Sequence, residues 1–186
     1  MSVMTRSWRQ LISMTMSNKF YQHSLPQPFH ISVGAVLFNE KHEICLHHFE
    51  KRNVPEKLHF LGDYLDDVWH LVRESLEGNE PLHDAVLRGV HEEFGAKGIV
   101  DKYLGSKIDI IISPTKAPFE KLTVYHAVKL ESLGERPDID AESRTKMEWH
   151  SPQSALKIYK NQSSQTNRPE LDESVIIQRF IEAYDL

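Results

Sequence analysis

The stretch from Glu80 to Gly95, EPLHDAVLRGVHEEFG, constrains the fold of this chain more than any other. Pro81 suits the first turn of a helix, where its missing N–H costs nothing. Ala85, Val86, Leu87 and Val90 supply an apolar flank. Gly95 follows the last periodic position, where a glycine readily takes the left-handed conformation that closes a helix. A helix is therefore expected here, and it ends in two adjacent acids, Glu92 and Glu93, with Arg88 at i−4 from Glu92. Carboxylates at a helix C-terminus face the negative end of its dipole. A divalent cation or solvating water would offset that repulsion.

The remaining composition narrows the setting. A chain of 186 residues makes one domain with a sizeable core. Its formal charge of −5 provides no basic field for general nucleic-acid binding. Cys45 is the single cysteine, which excludes an intrachain disulfide and a thiolate zinc cluster and suits a reducing, cytoplasmic compartment. No apolar run reaches the roughly 18 residues of a membrane span, so a soluble protein without a membrane partner is expected. Residues 1–28 read as an N-terminal leader, with no acid before Glu40 and with Arg6, Arg9 and Lys19 among serines, threonines and methionines. A weak transit-like segment, a poorly ordered leader and an early start at Met1 are the readings of it. Residues 29–186 read as the single domain.

Along that domain, His30 to Phe38 alternates around β-branched residues as a strand, and Glu43 to Phe49 returns as its hairpin partner. Val68 to Val72 reads as one short strand. Tyr103 to Ser113 and Lys121 to Leu130 form a second hairpin whose turn holds Pro114 and Pro118, expected to stay outside the ladder. A strand around Met147–Trp149 precedes a helix with Ser151 as N-cap and Pro152 in its first turn. Residues 160–170 read as a polar linker. Asp172 is expected to cap a last helix with Val175, Ile176, Phe180 and Ile181 on one face. This order implies a mixed sheet covered by helices, an α/β fold.

Spaced from Arg88, the chain shows Glu74, five residues, Glu80, seven residues, Arg88, then Val90, Glu92, Glu93 and Gly95. This resembles the Nudix box, and the resemblance extends over roughly residues 29–160. It implies an α/β/α sandwich with a mixed sheet. Two positions depart from the pattern: Gly89 stands where the family has its first helix glutamate, and Glu74 where it has its first glycine. The resemblance implies hydrolysis of a diphosphate by Mg²⁺ or Mn²⁺, because hard cations held by carboxylates neutralise phosphoryl oxygens.

Glu92 and Glu93 are the expected metal ligands and catalytic acids. Glu74 is a further candidate ligand, since the family's glycine there lends its carbonyl to the metal; an ordinary solvent-exposed glutamate is the other reading. Glu142, seven residues before Trp149, is a candidate ligand and catalytic acid by resemblance to relatives with a loop glutamate; membership of a plain acidic loop is its alternative. Arg73 is read either as a phosphate-binding group or as a surface ion-pair partner. Glu80 and Arg88 are expected to pair and brace the box. The eleven histidines show no metal spacing, and His47 and His48, adjacent on a strand, must point to opposite faces. Cys45 is read as a half-buried structural thiol.

The leading expectation is a cation-dependent hydrolase of a nucleoside diphosphate linked to another moiety, slowed because Gly89 carries no carboxylate. Loss of one placed electrostatic group costs on the order of 10²–10³ in turnover. The alternative is a catalytically inactive module that binds a nucleotide or a protein. An isopentenyl-diphosphate-isomerase-like enzyme would need a catalytic cysteine in its own motif, which Cys45 lacks. A small diphosphate, nucleotide-derived, is the expected ligand, and a homodimer is compatible with all of this.

Overall fold

The computed structural model describes residues 21–24, 27–50, 52, 67–113, 116–138 and 145–186. Strands β1 (Tyr21–Ser24), β2 (Gln27–Phe38) and β3 (Ile44–Phe49) are followed by β4 (Val68–His70), β5 (Val72–Ser75) and helix α1 (Leu82–Phe94). Strands β6 (Ala96–Ser113), β7 (Lys116–Leu133) and β8 (Lys146–His150) come next. Helix α2 (Pro152–Thr166), a 3-10 turn (Pro169–Leu171) and α3 (Ser174–Ala183) complete the chain. The strands form one eight-stranded sheet in the order β4-β3-β2-β7-β6, with β1 and β5 also on β2 and β8 on β3. It is mixed: β2 runs parallel to β7, from Phe29↔Glu120 to Phe38↔Lys129, and its other pairings are antiparallel. Residues 21–24 and 27–28, which the sequence reading placed in the leader, pair in this sheet, and residues 1–20 lie outside the described residues.

Alternation on β2 divides the core into two layers. Val33, Ala35 and Leu37 join Cys45 and the α1 residues Ala85, Val86, Val90 and Phe94 on one face. Val36 and Phe38 join Ile44, Leu46, Tyr159, Ile176, Ile177 and Phe180 on the other, under α2 and α3. Helices on both faces make the α/β/α sandwich, and among the described residues no helix is long and apolar enough to cross a membrane. Cys45 is wholly buried rather than half-buried, and burial pushes its thiol up to about 12.

The residue 68–75 segment is two strands, not one. After their pairing at Phe38↔Ile44, β2 and β3 diverge. The segment fills the wedge between them, pairing first with β3 (His47↔His70, Phe49↔Val68) and then with β2 (Val33↔Glu74, Ala35↔Val72). Leu71 lies at the switch, and its N–H donates to the buried carboxylate of Glu173 at 3.1 Å. The Tyr125 hydroxyl donates to the same carboxylate. Gly34 makes room for that tyrosine, since a Cβ there would lie 2.4 Å from the ring.

Three further local expectations change for physical reasons. Residues 160–170 are not a linker, because α2 continues to Thr166. The buried Gln162 holds it there by receiving the Trp69 N–H at 2.6 Å and donating to the Trp69 carbonyl at 3.0 Å. Pairing of β6 and β7 reaches Ser113↔Lys116, so Pro118 lies within β7, beside a ladder irregularity between Ile111 and Ser113 that accommodates a missing donor. On α3 the buried face is Ile176, Ile177 and Phe180, while Val175 is 43% exposed. Glu173 rather than Asp172 is the N-cap of α3; Asp172, one residue ahead, accepts the Ser174 N–H at 2.9 Å. Accordingly, Phe180→Ala should cost about 3–5 kcal/mol in urea denaturation, whereas Val175→Ala should stay within about 0.5 kcal/mol. Equal losses would place α3 in the wrong rotation.

Candidate functional site

Helix α1 begins after Pro81, which sits at the N-cap, and ends at Gly95 with φ +64°, the left-handed closure that glycine permits. Its polar face is organised by Arg88. The guanidinium binds Glu80 in a fork, Nε to Oε1 and Nη2 to Oε2, each at 2.9 Å. Its Nη2 also donates to the Ser75 carbonyl at 2.9 Å. On its Nη1 side lie Glu92 at 3.3 Å and Glu74 at 3.4 Å. The expected Glu80–Arg88 brace is thus present and partly shielded. The forked pairing also holds the Glu80 carboxyl below its usual range.

Glu74 and Gly89 face each other across the β5–α1 packing. A Cβ on Gly89 would lie 2.8 Å from the Glu74 Cβ and 3.2 Å from the Val72 Cγ1. The two departures from the box thus lie against each other, the Glu74 side chain taking space that a side chain on Gly89 would enter. Glu74 is neither a loop residue nor fully exposed; it pairs with Val33 on the α1 face of the sheet.

Glu93 is buried, 5% exposed. Its Oε2 lies 2.6 Å from His47 Nε2, and its Oε1 accepts the Arg73 backbone N–H at 3.2 Å. His47 Nδ1 faces the Thr145 hydroxyl at 2.6 Å and the Arg136 guanidinium at 3.3 Å. Arg136 can only donate, so Nδ1 accepts and the Nε2–H donates to Glu93. Arg136 also donates from Nε to the Glu93 carbonyl at 2.5 Å and from Nη1 to the Thr145 carbonyl at 2.6 Å. A guanidinium on a final helix carbonyl is favourable against the dipole. The repulsion expected at this helix end is thus offset within the protein, by Arg136 and Arg88. Strand parity already put His47 on the same face as Cys45, under α1, but nothing in the sequence linked Arg136 to this point.

On the opposite face, Arg73 is neither at the surface nor alone. Burial alone would weaken its charge, yet Glu173 at 3.7 Å keeps the guanidinium firmly protonated. Its Nη2 donates to His70 Nδ1 at 2.7 Å. Burial, reinforced by Arg73, pushes the His70 pKa well below its usual value, in keeping with an Nδ1 that accepts. His70 and Arg73 line a cavity of about 250 Å³ at the mouth of the β2–β3 wedge, together with Glu93, Lys121 and Arg168. Lys121 is a residue that sequence reasoning did not single out. Burial, then Arg73, push its pKa down to about 7. Glu142 lies outside the described residues.

Among the described residues no three His, Cys, Asp or Glu side chains are already grouped as a metal cage. The donor chemistry nevertheless fits a hard cation. Among the described residues, Glu74 Oε1 and Glu92 Oε2 are engaged, and Glu74 Oε2 and Glu92 Oε1 make no protein hydrogen bond. Mg²⁺ commonly needs only one or two carboxylates beside water and phosphate oxygens.

The cavity carries a pH signature. Lys121 is depressed from 10.5 to about 7, so above pH 7 the unfolded chain binds a proton there that the folded chain does not. Stability must then rise with pH across that window. Below pH 7 both states are protonated and the slope vanishes; well above it the raised Cys45 thiol acts in the opposite sense. Denaturation in phosphate-free buffer should show wild type more stable at pH 8 than at pH 7, with Lys121→Met flattening the difference. An unchanged slope in the variant would assign it elsewhere.

Comparisons with known proteins agree with this architecture. The solution structure of the E. coli ORF135 protein is 17% identical, covers 83% of this chain and 89% of its own, and superposes with a TM-score of 0.52. A NUDIX hydrolase from Nitrosomonas europaea is 15% identical, with 84% and 88% covered and a TM-score of 0.52. The MutT protein from Methanosarcina mazei Go1 is 21% identical, with 72% and 85% covered and a TM-score of 0.49. Comparison with curated proteins gave no match. At these identities the E. coli and Nitrosomonas europaea structures show the fold alone, and family membership rests on the NUDIX domain match over residues 28–170. With that match spanning most of its length, the chain belongs to the Nudix family.

Proposed function

We propose that this protein is a divalent-cation-dependent pyrophosphohydrolase acting on a nucleoside diphosphate linked to another moiety, with one of its carboxylates relocated from helix to strand. The observation that carries this reading is the 2.8 Å approach of the Glu74 Cβ to the space where a side chain on Gly89 would begin. Glu74 and Glu92 would hold Mg²⁺ or Mn²⁺ through their uncommitted oxygens. Glu93, oriented by His47 and the Arg73 N–H, would join them at the same cation. Glu142 belongs to the same set by resemblance.

A cation bound there supplies neutralisation of the phosphoryl oxygens. The chain's own residues do the positioning. Arg88 keeps Glu74, Glu80 and Glu92 together against their mutual repulsion. His47 and the Arg73 N–H orient the Glu93 carboxylate, and Arg136 fixes the helix end that carries it. The platform is assembled from two elements rather than one, so its geometry depends on the β5–α1 contact. Turnover slower than that of a three-carboxylate helix by about 10²–10³ is expected, the usual consequence of a displaced electrostatic group.

The exchange makes a reciprocal prediction for hydrolysis of a nucleoside diphosphate sugar with Mn²⁺. Glu74→Gly should lower kcat by at least about 10²-fold. Gly89→Glu should also fall, because it forces a side chain against Glu74 at a cost of about 1–3 kcal/mol in stability. The double variant Glu74→Gly/Gly89→Glu should recover activity above either single. A double variant no better than the singles would sink the relocation.

Metal binding is tested separately. In calorimetric titration with Mn²⁺, Glu92→Gln and Glu93→Gln should each weaken binding about tenfold or more, roughly the 1.4 kcal/mol expected for losing one charged contact. Binding equal to wild type in both variants would remove these acids from the metal site. No hydrolysis by wild type over a broad diphosphate panel would favour a catalytically inactive binding module.

A further inference from the structure

The cavity beside Glu93 is unusual in its charge. Its walls bring His70, Arg73, Lys121 and Arg168 together with the acids Glu93 and Glu170. Both acids are committed. Glu93 bonds His47 and the Arg73 N–H, and Glu170 pairs with Arg168 at 2.8 Å. Arg73 has Glu173 beside it. Lys121 differs from the other cations: among the described residues no carboxylate lies within ion-pair distance of its ammonium group. Its cross-strand neighbour Asp109 is turned to Lys107 at 2.9 Å instead. A partly buried cation with no counter-ion within ion-pair distance is costly to keep, and the pKa of Lys121, pushed down by burial and then by Arg73, is in keeping with that cost. A bound anion would supply the missing partner.

The cavity is also poorly made for a nucleobase. Base recognition commonly uses an accessible aromatic face for stacking. The aromatic residue on this wall, Phe49, is only 5% exposed and meets His70 edge to face, with ring centroids 5.4 Å apart. A volume of about 250 Å³ falls below the range usual for sites that enclose a drug-sized molecule. Small size, a lysine with no carboxylate in ion-pair reach and no accessible aromatic ring among the described residues select a compact anion.

We infer that this cavity receives a second anionic group of the ligand, a phosphate or carboxylate carried by the moiety beyond the diphosphate. Glu93 stands on its wall and beside Glu92 on the same helix end, so one ligand can lie across both places. The substrate class is then a nucleoside diphosphate joined to an acidic group, a sugar phosphate or a uronic acid, in preference to a neutral sugar. This assignment rests on the hydrolase reading for its use in catalysis, but the anion site itself is testable without it.

Calorimetry on the full chain with inorganic phosphate, free of divalent cations at pH 7, is the first measurement. Wild type should bind phosphate, and Lys121→Met, which keeps most of the aliphatic stem and removes the charge, should weaken it at least tenfold. Lys121→Gln provides a second neutral variant, and thermal melting without phosphate should show both folded. Hydrolysis is then compared, with Mn²⁺, for nucleoside diphosphate sugars, the same sugars bearing a phosphate ester, and the corresponding uronic acids. Wild type should prefer an acidic member, and which one it prefers names the source of the anion. The preference ratio over the neutral sugar should fall at least tenfold in Lys121→Met. Phosphate bound equally by wild type and both variants, or by none, overturns the inference. Cation-dependent hydrolysis with no acidic preference overturns it too while leaving the hydrolase reading intact. Lysine-dependent phosphate binding with no hydrolysis of any substrate supports the anion site and removes the hydrolase reading instead.

Discussion

One guanidinium holds the polar end of this molecule together. Arg88 reaches Glu80 from the loop before α1, Glu92 on the helix, Glu74 on β5 and the carbonyl of Ser75. Three carboxylates gathered without it would repel one another at short range in a partly desolvated place, where Coulomb terms exceed their values in water. Arginine suits the position because its fork offers five fixed donors, where lysine would offer a single point charge. The loop, the strand and the helix are thus tied at one point. Every other feature of the carboxylate surface depends on that tie, including which oxygens remain uncommitted.

Around it, two residue identities make sense only as a pair. Gly89 weakens a helix interior, where glycine costs about 1 kcal/mol relative to alanine. Glu74 places an acid on the strand face that packs against that helix. Either alone looks like a defect. Together they fit: the Glu74 Cβ lies 2.8 Å from where a side chain on Gly89 would begin, and the Glu74 carboxylate stands 3.4 Å from Arg88. The exchange also changes what holds the acid in place: a helix glutamate is placed by its own helix, whereas Glu74 is placed by sheet register, through Val33 on β2.

That register is secured from the far side of the molecule. Glu173, just before α3, accepts from Leu71 and Tyr125 and stands beside Arg73, and Gln162 on α2 clasps the backbone of Trp69. Both residues are buried polar groups with partners, an arrangement that favours a unique geometry over a merely compact one. The 68–75 segment carries Glu74 toward one face and Arg73 toward the other. Its two ends are thus gripped by helices that lie outside the box, and the cation-rich cavity opens where the two strand pairings part.

The sequence by itself determined the helix of the box, its glycine closure and the alternating strands, because these follow from local periodicity and short spacings, while the Glu80–Arg88 brace followed from the resemblance to the Nudix box. It also located both departures, Gly89 and Glu74, fifteen positions apart. Only the tertiary structure decided that they touch, since contact between a strand and a helix depends on rotation and register that no spacing encodes. The same holds for Arg136 on the helix end, His47 on Glu93 and Lys121 in the cavity, each brought in from a distant strand or loop. Residues 160–170 misled for a related reason: a polar run reads as a linker until burial of one side chain, Gln162, gives it a partner. Local chemistry is written in neighbouring residues, whereas a site built from five separate segments is written in the packing between them.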